Sequence, residues 1–263
     1  MFKSLLVKCQ RLYQDSKDGL AKMKRLWLLI YISHQAIAQI ANPKPIIGEQ
    51  IVNHLGYSLS YNEKNEQASW VAYELTADQV RGTVKRKDSF RSDPLIKTGS
   101  ASLSDYKGSG YDRGHLAPAA DMKWSTTAMS ESFFMSNMSP QLPGFNRGIW
   151  KKLESKVRDW AIDNNKICIV TAGILDEGMN TIGSNSVSIP NYYYKVILDY
   201  TEPELKAIGF ILPNKKSKAL LQSLAISVDS VEIRTGIDFF YNLPDDKENE
   251  LESIIDLSKW NWK

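Results

Sequence analysis

The chain has 263 residues, 43% hydrophobic and 24% charged, with a formal net charge of +3. That length allows a full core and one or two domains, and the composition is ordinary for a soluble globular protein. Charge excludes one shortcut: residues 1–38 alone carry +5 and the remainder −2, so whole-chain basicity is no argument for a nucleic-acid partner.

At the N-terminus, Lys24 and Arg25 precede an apolar run at 26–32, followed by Ala36-Ile37-Ala38. A basic start, a short apolar stretch and a small-x-small site predict a secretory signal peptide that begins at Met23 and is cut after Ala38. The run falls short of the ~20 residues that span a bilayer, although an uncleaved anchor is the competing reading. Residues 1–22 are then an upstream extension. Removing 1–38 also removes Cys9, so Cys168, in the apolar run KICIVTAGI, has no partner for a disulfide. The predicted location is the periplasm or the cell exterior, with no stable membrane partner after cleavage.

Residues 39–56 read as an extended lead-in, and 57–263 as one domain. Runs at 57–61 and 69–75 flank the polar stretch NEKNEQ and predict a β-hairpin. Residues 76–79 resemble a turn. Residues 81–97 carry a net +4, a local basic patch on an otherwise slightly acidic domain. Pro118, Pro140 and Pro143 divide the central stretch into loop-like pieces.

The clearest helix is predicted over 145–163. At about 100° per residue, Trp150, Leu153, Val157 and Trp160 share one face. Glu154 falls at the margin of that face, where pairing with Arg158 is one option. Further strands are expected at 167–172, 192–199 and 207–212, and short helices at 217–224 and near 228–234. No tandem repeat, low-complexity linker or composition break divides the chain. The fold class is therefore α+β.

Chemistry concentrates between Tyr111 and Glu154. Outside the N-terminus the histidines are His54 and His115. His115 follows Asp112, Arg113 and Gly114: a neutral imidazole can take a proton from water, and an adjacent guanidinium matches phosphate oxygens. Asn146 has two competing roles, N-cap of the helix or hard-oxygen metal ligand. Glu154, two turns on, is about 12 Å from it along an ideal helix, so the pair would not grip one ion directly. Asp112 is suited to orienting its neighbours by hydrogen bonds. Cys168 and Ser139 lack the partners of a nucleophile.

The stretches YDRGHLAPAADMKWS (111–125) and SNMSPQLPGFNRGIWKKLE (136–154) resemble the DNA/RNA non-specific endonucleases, which carry the ββα-metal or His-Me finger motif. WVAYELT (70–76), FRSDP (90–94), YYYKVIL (192–198) and RTGIDFF with LPDD (234–246) extend the likeness, in the same order, over about residues 57–246. The resemblance implies a mixed, largely antiparallel sheet with flanking helices and a hairpin-plus-helix active site. It implies His115 as general base, Asn146 as the one protein ligand of a single Mg2+, for which Mn2+ can substitute, and Glu154 as a carboxylate on that ion's waters. Arg113 would hold the scissile phosphate, and Arg86 looks like the upstream arginine, although Lys85 or Arg91 could fill that place. Lys85, Arg86, Lys87 and Arg91 would contact nucleic acid, and Asn137 would support the site. The implied substrates are DNA and RNA, with 5′-phosphate products. Some family members are dimers, which leaves a homodimer open. Two rival readings are a catalytically silent nucleic-acid-binding protein on this fold and a metal phosphodiesterase for small substrates.

Overall fold

In a computed structural model describing residues 42–263, the strands along the chain are β1 (Gln50–Asn53), β2 (Ser58–Asn62), β3 (Gln67–Thr76), β4 (Asp112–His115), β5 (Met138–Gln141), β6 (Lys166–Gly173), β7 (Thr181–Ile182), β8 (Val187–Ser188), β9 (Tyr192–Asp199), β10 (Lys206–Pro213) and β11 (Ala225–Ile226). The α-helices are α1 (Ala77–Val80), α2 (Leu103–Tyr106), α3 (Thr126–Glu131), α4 (Lys151–Asp163), α5 (Val228–Thr235) and α6 (Asp245–Ser253). Seven strands form one antiparallel sheet in the order β1-β2-β3-β6-β9-β10-β11, while β4 pairs with β5 and β7 with β8. This is the mixed α+β architecture expected from the sequence. The signal-peptide reading falls on residues outside those described. Among the described residues no helix is long and apolar enough to cross a membrane.

The central strands β6 and β9 are nearly continuous apolar runs and are buried on both faces. Such strands need cover on each side. Register shows how it is supplied. Tyr73, Ile169, Ile197 and Ile208 stand abreast across β3, β6, β9 and β10. On their face α4 and its lead-in pack, with Trp160 stacked on Phe210 at 6.2 Å and Phe145 on Tyr193 at 5.2 Å. The opposite face takes α5 and the loop after it: Tyr194 meets Phe239 at 5.6 Å, and Gly209 lies so close under α5 that an added Cβ would stand 2.6 Å from Val231. The chain end closes over α4, with Trp260 and Trp262 at 4.7 and 5.2 Å from Trp160. Trp160 is fully buried, and a burial of that kind contributes about 1.5–3 kcal/mol.

Several expectations change. The lead-in supplies an edge strand, β1, paired with β2. The stretch 76–79 is a turn of helix, because Thr76 and Gln79 cap each other reciprocally as a capping box. Within 217–224 only Leu221–Leu224 is helical, as a 3-10 turn, and the acidic segment near the end forms α6. The predicted helix over 145–163 is interrupted. Its first part, Phe145–Trp150, is a wide π-type turn kinked at Gly148 (φ −106°, ψ −112°), and regular α-helix begins only at Lys151. Cys168 is buried in β6, where burial pushes its thiol up to about 12 and leaves it inert.

Candidate active site

The β4–β5 pair is pinned to the main sheet. Tyr193 donates to the Pro140 carbonyl at 2.9 Å, and its hydroxyl lies 2.6 Å from Ser139 Oγ. Ser139 in turn donates to Gln67 at 2.6 Å, which leaves no nucleophile role for it. Asn137, fully buried, clamps the chain leaving β4: its Oδ1 accepts from Ala117 N–H, and its Nδ2 donates to the Ala117 and Ser132 carbonyls, each at 2.9 Å. Gly114 is required by close approach, since a Cβ there would fall 2.2–2.4 Å from the Gln141 side chain. The DRGH strand is therefore held from below and on both flanks.

On this strand His115 packs edge-on against Phe133 at 4.9 Å, with Phe90 at 5.7 Å. The same two rings carry cations. Arg113 lies 4.4 Å over Phe90, and Arg86 lies 5.1 Å over Phe133. An aromatic wall thus gathers one imidazole and two guanidiniums. Burial first, then the charge of Arg86, lowers the His115 pKa to about 3, with Arg113 adding to the fall and Asp88 opposing it. Nε2 is buried and has no hydrogen-bond partner. The ring is neutral at any physiological pH.

That shift has a stability consequence with a definite sign. Unfolded His115 takes a proton near pH 6.5 and folded His115 only near 3, so stability falls as pH drops from 6.5 towards 3. At pH 5 the loss from this group is about 2 kcal/mol. Urea unfolding of wild type and His115→Asn at pH 7.5 and 5.0 checks it. The variant is expected to lose less stability on acidification, and an equal loss in both would refute the assignment.

Asp112 organises the neighbouring element. Its carboxylate accepts from Asn146 Nδ2 at 2.9 Å and from Arg147 Nε and Nη2 at 2.9 and 2.6 Å. Asn146 is therefore not an N-cap: the position heading the wide turn is Gly144, with no side-chain cap. The bond through Nδ2 fixes which way the amide points, and Oδ1 accepts no hydrogen bond among the described residues. Imidazole and amide are thereby attached to one hairpin, the first by the chain and the second through Asp112.

Glu154 lies on α4, partly buried, beside a charge network absent from the sequence reading. Asp121 is 1% exposed and accepts from Tyr73 Oη and from Arg158 Nη1, both at 2.8 Å. Arg158 thus hydrogen-bonds Asp121 and not Glu154. Lys195, fully buried in β9, makes no hydrogen bond through Nζ and sits 4.8 Å over the Trp150 ring. Burial raises the Glu154 pKa, Lys195 works against the rise and Asp121 adds to it. Burial likewise lowers Lys195, which Glu154 and Asp121 resist. The one sequence signal for this network was a lysine inside an otherwise apolar strand, YYYKVIL.

The basic run separates into different tasks. Lys85, Arg86 and Lys87 are exposed. Arg91 spends its donors on Ser89 and Ser130 at 2.9–3.3 Å and stacks 4.0 Å over Phe134. Asp93 is buried between His54 Nε2 at 2.8 Å and Ser136 Oγ at 2.5 Å, which makes His54 a structural histidine. Of the cations at 85, 86 and 91, Arg86 is the one over the Phe133 ring that His115 contacts.

The sequence profile of the DNA/RNA non-specific endonucleases matches residues 35–246. Nuclease C1 of Cunninghamella echinulata var. echinulata is 33% identical over 226 residues, 80% of this chain and 89% of that protein. Mitochondrial nuclease EXOG of Mus musculus is 31% identical over 231 residues, 81% of this chain but only 62% of that longer protein. The crystal structure of the EndoG/EndoGI complex, which concerns the mechanism of EndoG inhibition, contains a chain similar with TM-score 0.72 and 31% identity, covering 80% of this chain and 93% of that one. With the profile spanning most of the sequence and the fold in agreement, this chain is a nuclease belonging to the DNA/RNA non-specific endonuclease family.

Proposed function

We propose that the protein hydrolyses phosphodiester bonds of DNA and RNA in a divalent-metal-dependent reaction with weak sequence preference, leaving 5′-phosphates, after export from the cell. One observation carries this reading. A neutral imidazole and two guanidiniums meet on one aromatic wall, and Asn146 is tethered to the same hairpin.

The residues suit a magnesium ion held mostly by water. Asn146 offers one hard oxygen, Oδ1, whose direction Asp112 sets by holding Nδ2, and Mg2+ is commonly bound by one or two protein oxygens plus substrate phosphate. Mn2+ accepts the same donor type. When bound, the ion stabilises charge on the phosphate and on the departing 3′ oxygen. Water gives its proton to His115, through Nδ1, because Nε2 is sealed in the interior. Arg113 and Arg86 offset the negative charge that develops on the phosphate. Glu154, on α4 beyond Asn146, would serve as a carboxylate on the waters of that ion. Lys85 and Lys87 reach backbone phosphates, which carry no sequence information. Arg91 holds the loop that presents them. Export rests on the pattern at residues 23–38.

The test is cleavage of plasmid DNA and ribosomal RNA by the purified protein, with and without EDTA. Both polymers are expected to degrade with Mg2+ or Mn2+, to survive in excess EDTA, and to degrade again when Mg2+ is restored. Fragments should ligate without prior phosphorylation. Salt-sensitive binding without cleavage under every divalent ion tried would replace this reading with a silent binding protein.

A further inference from the structure

Far from the catalytic hairpin in sequence, three carboxylates converge. Asp229 and Glu232 on α5 and Glu252 on α6 each place an oxygen within 4.8 Å of the other two. Glu252 is 4% exposed, and its Oε1 is buried without any hydrogen-bond partner. Glu232 is held in place by Phe239 N–H, which donates to its Oε1 at 2.6 Å from the loop joining the helices. The other charges that act most on Glu252 are those of Glu248 and Asp238, both negative. Two nearby lysines are already engaged, Lys44 with Asp238 at 3.0 Å and Lys247 with Glu250 at 2.9 Å.

A buried carboxylate held this close to two others is favoured by sharing either a proton or a cation. Burial, then the charges of Glu232, Glu248, Asp229 and Asp238, pushes Glu252 up to about 9, which is the proton-sharing answer in the absence of an ion. Geometry supplies the other. We propose that Asp229, Glu232 and Glu252 form a calcium site that clasps α5 to α6. The donors are all hard oxygens, and the partial exposure of Asp229 and Glu232 leaves room for waters to complete a shell of 6–8 ligands. Calcium takes its oxygens at about 2.3–2.6 Å in a flexible shell, whereas magnesium demands near-ideal octahedral geometry at about 2.0–2.1 Å, so three carboxylates gathered within 4.8 Å of one another suit calcium better. None of the residues assigned to catalysis lies on α5 or α6, so the site is a structural clasp, separate from the proposed magnesium ligand.

Thermal unfolding of the EDTA-dialysed full chain, with calcium added to about 10 mM, tests this. Wild type is expected to gain roughly 5 °C or more in Tm once calcium reaches a hundredfold excess over its Kd. Asn146→Ala, which lacks the proposed catalytic metal ligand, should gain the same. Glu252→Gln, isosteric with the protonated carboxyl, should fold and gain nothing; if it does not fold, Asp229→Asn serves in its place. Calorimetric titration of Asn146→Ala should show one calcium per chain. No calcium-dependent rise in Asn146→Ala, or an equal rise in Glu252→Gln, overturns the site, and an equal rise with magnesium overturns the choice of ion.

Discussion

Replacing His115 by alanine is expected to lower kcat/KM on plasmid DNA by roughly 100- to 10 000-fold, the usual contribution of a positioned general base. The reason lies in how the ring is held. Phe133 and Phe90 fix its plane, and burial together with Arg86 keeps it unprotonated, so it is always in the form that accepts a proton. The same forces make it a weak base in the free enzyme. Arg86 and Arg113 are two of the three causes of that weakness, so a phosphate entering between them is expected to relieve part of it, while burial, the largest cause, stays in place. The measurement is a steady-state profile with Mg2+ for wild type and variant, beside their unfolding curves. Lost activity with a retained cooperative transition supports the base; full magnesium-dependent cleavage by the variant would exclude it.

The second large effect concerns stability. Asp121→Ala is expected to cost 3–5 kcal/mol, the usual penalty for breaking a buried ion pair from one side. The substitution strips the acceptor from Arg158, whose side chain is only 18% exposed, and from the buried Tyr73 hydroxyl. It also removes one of the two carboxylates that sustain the charge of Lys195. For a domain of this size the loss corresponds to a fall in Tm of roughly 6–20 °C. Asp121→Asn keeps an acceptor oxygen of the same shape and should lose less. A change below about 1 kcal/mol for the alanine variant, read by urea unfolding, would mean that Arg158 and Lys195 relax into solvent and that the network is not a support for Glu154.

Much of this was legible in the chain because local chemistry repeats a period. The runs that became β6, β9 and β10 are largely apolar, those of β2 and β3 flank a polar turn, and the Trp150-Leu153-Val157-Trp160 stripe can only face a core. The DRGH and Asn-to-Glu spacing named the residues to inspect. What misled was also local. Asn146 has the composition of a helix cap, yet Gly148 breaks the helix after it, and Asp112, 34 positions earlier, takes its amide. Residues 76–79 looked like a turn because the capping partners, Thr76 and Gln79, satisfy the very groups that would otherwise end a helix.

The sequence by itself determined which stretches could be strands, which face of α4 must be buried, and which side chains were chemically able to serve as base, cation and hard-oxygen donor. Propensity and period depend on neighbours a few positions away, so they survive without a fold. Tertiary structure decided everything that depends on burial and on partners far along the chain. It placed Arg86 and Arg113 over the two rings that confine His115, joined Asp121 to Tyr73 and Arg158 beneath Glu154, and left Lys195 without a hydrogen bond inside a strand. It also drew Asp229, Glu232 and Glu252 into one cluster. Desolvation and Coulomb terms are set by three-dimensional distance, and no one-dimensional spacing encodes that.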